Sequence, residues 1–326
     1  MKREEDAVSS RVALDANKIG VLLMALGGPD SLEAVGPYLN ELRGGRPTPA
    51  DLINEIKERY RVTGGKSPVL EITTELAEKL ESRLSASGVQ AKVYVGFRHW
   101  HPFIGDVYHR MEAEGVCRVV GVCMAPQNSQ LTVGAYIRKV EEARAHSATP
   151  TTFTYVQSWN THPRLIDAIA VNIETTRRRF PSDSRIALLF TAHSLPSRVV
   201  REGDSYPQEV QATVDAVVAR VRPDVWRFAY QSQGRSEEPW LGPTVEAVLE
   251  ELERDGHREV LVAPIGFVSD HVEILYDIDI EFQKLATQKG MRLERIPMLN
   301  ASAPLVDTLA EVIHAHLQET SPLAPA

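Results

Sequence analysis

Glu273, Asp277 and Glu281 recur every four residues in the segment that runs from Pro264 to Glu281. On a helix this spacing aligns three carboxylates in one row, where like charges repel by roughly 0.2–0.5 kcal/mol per pair. Val272, Ile274, Leu275, Ile278 and Ile280 surround the row, so part of it is expected to be buried. A buried row of acids is costly unless a cation sits on it. Oxygen-rich rows suit a hard or borderline divalent metal; the alternative is a solvated acidic helix face. A second reactive group, His193, follows the apolar run 186–190. A neutral imidazole there can take a proton near neutral pH or bind a transition metal, and a strand-end histidine can equally be a hydrogen-bonded structural residue. If His193 and Glu273 face one cleft, they could complete a weak Fe(II) site or pass protons. His99 and His101 could share a strand face and bind metal; the alternative reading is that one of them lines the site or packs.

A basic, glycine-rich patch adds a third feature. Arg43-Gly44-Gly45-Arg46-Pro47 is followed by Arg59-Tyr60-Arg61 and by Gly64-Gly65-Lys66-Ser67-Pro68. Arginine pairs with carboxylates in bidentate fashion, so the patch suits an anionic ligand; a solvated loop and helix face would have the same charge.

The elements that must position these groups are eight short apolar runs, at 19–26, 92–97, 118–124, 152–156, 185–191, 225–230, 259–263 and 292–297. Amphipathic stretches lie between them, among them 73–84, 103–114, 163–178, 207–221 and 244–255. This rhythm indicates parallel βα units covered on both faces. The runs divide four and four, with repeated cues. Glu112-Ala113-Glu114-Gly115 precedes one strand of the first half, and Glu253-Arg254-Asp255-Gly256 precedes its counterpart. Each half ends on an Asn-to-Pro helix entry, at Asn160–Pro163 and Asn300–Pro304. The expected architecture is α/β, with two similar domains and a cleft between them. The first spans 14–157 and the second 158–303, and the helix 304–318 folds back on the first. Ligands of open parallel sheets bind beyond the carboxyl ends of the strands. That rule selects the segments starting at Gly27, Arg98, Ala125, Ala192, Gln231 and Gly266.

Composition sets the limits. The chain has 326 residues, of which 43% are hydrophobic, and a net charge of -8, which argues against a general nucleic-acid binder. No apolar run has membrane-spanning length, and Met1 to Asp6 is charged, so a cytoplasmic protein is expected. The two cysteines, Cys117 and Cys123, cannot supply the four thiolates an iron–sulfur cluster usually needs, and none is expected. Gly27-Gly28-Pro29 lacks the spacing of a dinucleotide fingerprint or P-loop.

Three long motifs, in order, resemble the ferrochelatase family. They are Thr191-Ala192-His193-Ser194-Leu195-Pro196, Tyr230-Gln231-Ser232-Gln233-Gly234 with Pro239-Trp240-Leu241-Gly242-Pro243-Thr244, and the stretch from Pro264 to Asp279. The resemblance implies two Rossmann-like, chelatase-type domains, each a four-stranded parallel sheet flanked by helices. It implies insertion of Fe(II) into a porphyrin in haem biosynthesis, with no cofactor beyond substrate iron. His193 and Glu273 match the family's metal-site pair, and Asp277 and Glu281 match acids of a delivery or second-metal row. The short, polar region 39–68 resembles the coproporphyrin III enzymes, in which positions matching Arg43, Arg59, Tyr60, Ser67 and Tyr136 contact the porphyrin; Leu26 and His99 are expected beside them. One position departs: Leu26 stands where coproporphyrin-type members often carry a metal-ligating tyrosine. The expected partners are porphyrin, ferrous iron and transient contacts with haem-pathway enzymes, and the expected state is a monomer. Protoporphyrin IX as substrate, a cobalt or nickel tetrapyrrole chelatase, and a non-catalytic porphyrin carrier are the alternatives.

Overall fold

The computed structural model describes residues 18–147, 151–234 and 236–320. The charged segment at Met1 to Asp6, the domain start expected at 14 and the end of the C-terminal tail lie outside the described residues. Strands β1 (Ile19–Ala25), β2 (Ala91–Phe97), β3 (Arg118–Cys123) and β4 (Thr152–Val156) form one parallel sheet in the order β2-β1-β3-β4. Strands β5 (Ile186–His193), β6 (Val225–Gln231), β7 (Glu259–Pro264) and β8 (Arg292–Arg295) form a second in the order β6-β5-β7-β8. The expected doubling therefore extends to topology. Helices cover both faces of each sheet, which explains runs without alternation: Val21, Leu22, Leu23 and Met24 are all fully buried, as are Val260, Leu261, Val262 and Ala263.

In chain order the helices are α1 (Val35–Leu42), α2 (Ala50–Val62), α3 (Val69–Ala86), α4 (Ile104–Ala113), α5 (Val133–Arg144), α6 (Pro163–Arg177), α7 (Arg198–Arg201), α8 (Tyr206–Val221), α9 (Val245–Arg254), α10 (Gln283–Gln288) and α11 (Ala303–Glu319). The patch between Arg43 and Pro68 is thus largely helical. Ile53, Ile56 and Tyr60 recur along α2 at helical spacing, and Asp51 and Arg59 sit at the ends its dipole favours. α11 lies against α3 and α6, and Arg83 Nε donates to Asp307 Oδ1 at 2.6 Å.

Glu273–Phe282 forms a π-helix rather than an α-helix. Its i→i+5 bonding is rare and concentrates at functional sites. Spacing by four lies close to one turn in either geometry, so the carboxylate row survives while the backbone differs. The loop before it depends on Gly266. A Cβ there would lie 2.8 Å from the Ala192 Cβ, so only glycine lets the chain leaving β7 pass across the end of β5. One side of the cleft is tied by carboxylates from the second half. Ser129 Oγ donates to Asp204 Oδ2 at 2.9 Å, and the Asn128 amide donates to Glu209 Oε2 at 2.7 Å. Among the described residues, no helix is long and apolar enough to cross a membrane.

Candidate active site

Connections leave β1 and β3 in opposite directions across the first sheet, and leave β5 and β7 likewise across the second. A crevice opens beyond the strand ends at each such point. The two crevices face one another and enclose a cavity of about 260 Å³. Leu26 and Gly27 line it after β1, Met124, Ala125 and Gln127 after β3, His193 at the end of β5, and the segment from Gly266 to Glu273 after β7. Leu76, Val69, Leu195 and Phe267 make much of the remaining wall apolar.

His193 is the last residue of β5, so its backbone is fixed by the sheet. The Tyr206 hydroxyl donates to its carbonyl at 2.8 Å. Its Nδ1 is hydrogen-bonded to the Ser194 carbonyl. A carbonyl only accepts, so Nδ1 carries a proton and Nε2 is left to gain or lose the other. Nε2 lies 3.6 Å from Glu273 Oε1. The second oxygen of Glu273 lies 3.7 Å from Nε2 of His271, whose Nδ1 is tied to the Ser269 carbonyl at 3.0 Å. Glu273 therefore sits between two imidazoles. Burial alone would raise its pKa, but His193 and then His271 overcome this and hold it well below the usual carboxylate range. Burial pulls His193 down, and the charge of Glu273 outweighs it, so the imidazole titrates above its ordinary value.

The acid row has a counter-charge from within the protein. The cation on it is Arg59, reaching over from α2. Its Nη1 lies 3.1 Å from Asp277 Oδ1 and its Nη2 3.9 Å from Glu281 Oε1, and its guanidinium lies over the Tyr276 ring at 4.7 Å. Among the described residues, no group of three or more His, Cys, Asp or Glu is arranged to hold a metal ion. The row borders a polar cavity of about 230 Å³, lined by Arg59, Gln231, Ser232, Asp277 and Glu281. Ser232 occupies the left-handed region (φ +58°) and donates to Asp277 Oδ2 at 2.7 Å. Despite these two partners, burial and then the charges of Glu273 and Glu281 push Asp277 up to about 6.

That shift has a measurable sign. An acid whose pKa rises on folding stabilises the fold below its ordinary value of 3.8, and the contribution is lost as pH rises through about 6. The strain of the ionised form is on the order of 2–3 kcal/mol. Asp277→Asn removes it, so the thermal midpoint of the variant relative to the parent should climb between pH 4 and pH 7.5. A difference that stays flat across that range would refute the assignment.

The other expected residues divide. Leu26 and Tyr136 line the main cavity. Tyr60 is buried, and burial and the charge of Glu273 raise its pKa, placing it near the pair. Ser67 is buried beside Gly28, its amide donating to the Pro29 carbonyl at 2.8 Å. Arg43 is exposed at the end of α1. His99 and His101 do not share a strand face, because β2 ends at Phe97 and both lie in the loop beyond it. His99 is buried behind Leu26, to whose carbonyl its amide donates at 3.0 Å, and burial followed by Arg98 and Lys139 brings it down to about 4. His101 packs edge-on to Phe103 at 4.4 Å. Sequence reasoning passed over His271, Tyr206 and Ser232. The signal for His271 was its place two residues before Glu273; Tyr206, 13 positions past His193 and on a separate helix, offered none.

The ferrochelatase family profile matches residues 18–317. A ferrochelatase of Herpetosiphon aurantiacus is 41% identical over 91% of this chain and 98% of its own length. The chain belongs to the ferrochelatase family. It is accordingly a porphyrin metal chelatase, a lyase of haem biosynthesis. Another ferrochelatase, from Deinococcus radiodurans, is 39% identical over 93% of the chain and 97% of its own length. The relative from Anoxybacillus flavithermus, 34% identical over 92% of the chain and 97% of its own length, is named coproporphyrin III ferrochelatase. Among solved structures, SirB from Bacillus subtilis with Fe3+ shares the fold at a TM-score of 0.58 and 11% identity, covering 93% of this chain and 97% of that one.

Proposed function

We propose that this enzyme inserts Fe(II) into coproporphyrin III, with His193 and Glu273 as the reacting pair. The observation that carries the reading is the 3.6 Å approach of His193 to Glu273 inside a largely apolar cavity between the two sheet ends. Metallation replaces two pyrrole N–H bonds with bonds to iron and releases two protons. With its Nε2 unprotonated, His193 and the Glu273 carboxylate are two bases facing one cavity. Glu273 touches His271 with its other oxygen, which gives a proton a second imidazole to move to. Apolar walls exclude water, so a flat macrocycle bound there loses little to solvation and each charge acts at close to full strength.

Support for coproporphyrin comes from the rim. Arg43 and Arg46 are exposed where α1 ends, and a substrate with four propionates suits a basic border. Arg59 is engaged with the acid row, so the border relies on fewer arginines than its sequence offers. The relative from Anoxybacillus flavithermus carries the coproporphyrin name. A cytoplasmic monomer fits the same reading. The deciding experiment is anaerobic metallation with Fe(II), coproporphyrin III and protoporphyrin IX being compared side by side. Faster turnover of coproporphyrin III is expected, and a clear preference for protoporphyrin IX would overturn the substrate assignment. In the same assay Asp277→Ala should raise the KM for iron about tenfold, corresponding to the loss of one charged contact, with porphyrin affinity unchanged. An unaltered iron dependence would remove the row from metal delivery.

A further inference from the structure

One buried cation beside the site takes no part in the chemistry above. Arg295 ends β8, and its side chain is only 13% exposed. Its Nε donates to Asp279 Oδ1 at 2.7 Å and its Nη2 to Asp279 Oδ2 at 2.8 Å. This is a fork-to-fork pair, the strongest and most directional contact arginine makes with a carboxylate. Nη2 also lies 3.4 Å from Asp270 Oδ1. Asp270 is held from its other side: Asn300 Nδ2 donates to Oδ2 at 2.7 Å, and the Asp270 amide donates to Asn300 Oδ1 at 2.8 Å. Asn300 is itself in the left-handed region (φ +49°), and its amide donates to the Val268 carbonyl at 2.8 Å.

The carboxylates of the glutamate segment therefore split between two arginines. Asp277 and Glu281 meet Arg59 from the first half of the chain. Asp270 and Asp279 meet Arg295, one ahead of Glu273 and one beyond it. Asp279 belongs to the π-helix, a backbone form rarely stable without tertiary support. Asp270 precedes His271 and Glu273 in the loop that lines the cavity.

We propose that Arg295 is a positioning residue for the metal-handling carboxylates. It pins both flanks of Glu273 to β8 and so fixes the π-helix in the placement that sets Glu273 against His193. Its work on the π-helix passes through Asp279, and its work on the loop through Asp270. The proposal rests on the reading of His193 and Glu273 as the reacting pair.

The test compares Arg295→Met, Arg295→Lys, Asp279→Asn and the Arg295→Met/Asp279→Asn double variant with the parent. It measures kcat, the KM for Fe(II), porphyrin affinity by fluorescence and the thermal midpoint. Arg295→Met should lower kcat about tenfold or more, because displacement of a reacting group by a fraction of an ångström to 1 Å carries costs of that order. The KM for Fe(II) should rise, with porphyrin affinity unchanged. The double variant should be no slower than Arg295→Met, since both substitutions break one pair. Arg295→Lys should recover part of the rate, because one ammonium reaches one carboxylate but cannot fork. Arg220→Gln, which breaks an ion pair to Asp167 on outer helices, should turn over like the parent. Folded Arg295→Met and Asp279→Asn variants with parental kcat and KM, altered only in thermal midpoint, would overturn the proposal, as would additive losses in the double variant. If Arg295→Met fails to fold, Asp279→Asn decides alone. Glu273→Gln is run alongside: parental turnover in that variant would remove the underlying reading of the pair, whereas slow Glu273→Gln with normal Arg295 variants overturns only the role of Arg295.

Discussion

His193→Ala is expected to lose about 10³-fold in metallation rate, within the range general-base groups contribute, while retaining the fold. Retention follows from where the residue sits. Its backbone is part of the β5 ladder, and Tyr206 holds its carbonyl rather than its ring. Loss of the imidazole still leaves Glu273 beside His271. The stability change should depend on pH in a defined way. Glu273 is depressed on folding, so its contribution is present above its ordinary value of 4.5 and disappears as pH falls through the folded value. His193 is raised, so its contribution is complete below 6.5 and disappears as pH rises through the folded value. The parent should therefore exceed His193→Ala in thermal midpoint most clearly between pH 4.5 and 6.5, with the gap narrowing on either side. Near-parental turnover in the variant would take His193 out of the mechanism.

Glu273→Gln is expected to slow metallation about 10²-fold, and its residual activity should reveal the coupling. The amide keeps the shape but not the charge that raises His193. Without that charge, burial draws the imidazole down, and neutral His193 forms at lower pH. The acid limb of the residual pH–rate profile should therefore move toward lower pH relative to the parent. Paired groups titrate jointly, so the limb reports the pair as a unit. An unmoved limb would mean that Glu273 does not govern the protonation of His193.

Much of this was legible along the chain. Strands covered on both faces betray themselves as unbroken apolar runs, and all eight lie where those runs fall. His193 was singled out by its place at a strand end and Glu273 by the four-residue spacing of its carboxylate row, and the structure brings the two within 3.6 Å. What escaped depends on how the two halves dock. Arg59 reads as a propionate ligand from its basic surroundings, yet it reaches a helix 218 positions away in sequence. The π-helix escaped because period-four spacing fits an α-helix as well. The shared face allowed for His99 and His101 does not form, because alternation implies one only while the strand continues and β2 stops at Phe97, while His101 packs as the other reading had it.

The repeated strand order has a consequence for how such an enzyme can be retooled. At the ends of β5 and β7 stand His193 and the loop to Glu273; at the ends of β1 and β3 stand Leu26 and Met124. On the proposed reading, one copy of the scaffold carries the reacting groups and the other offers mostly a contoured wall. Exchanges at Leu26 or Met124 can reshape the seat for a different macrocycle without disturbing the proton and metal traffic opposite. A repeated strand order of this kind lets the shape of the seat and the chemistry opposite it change separately.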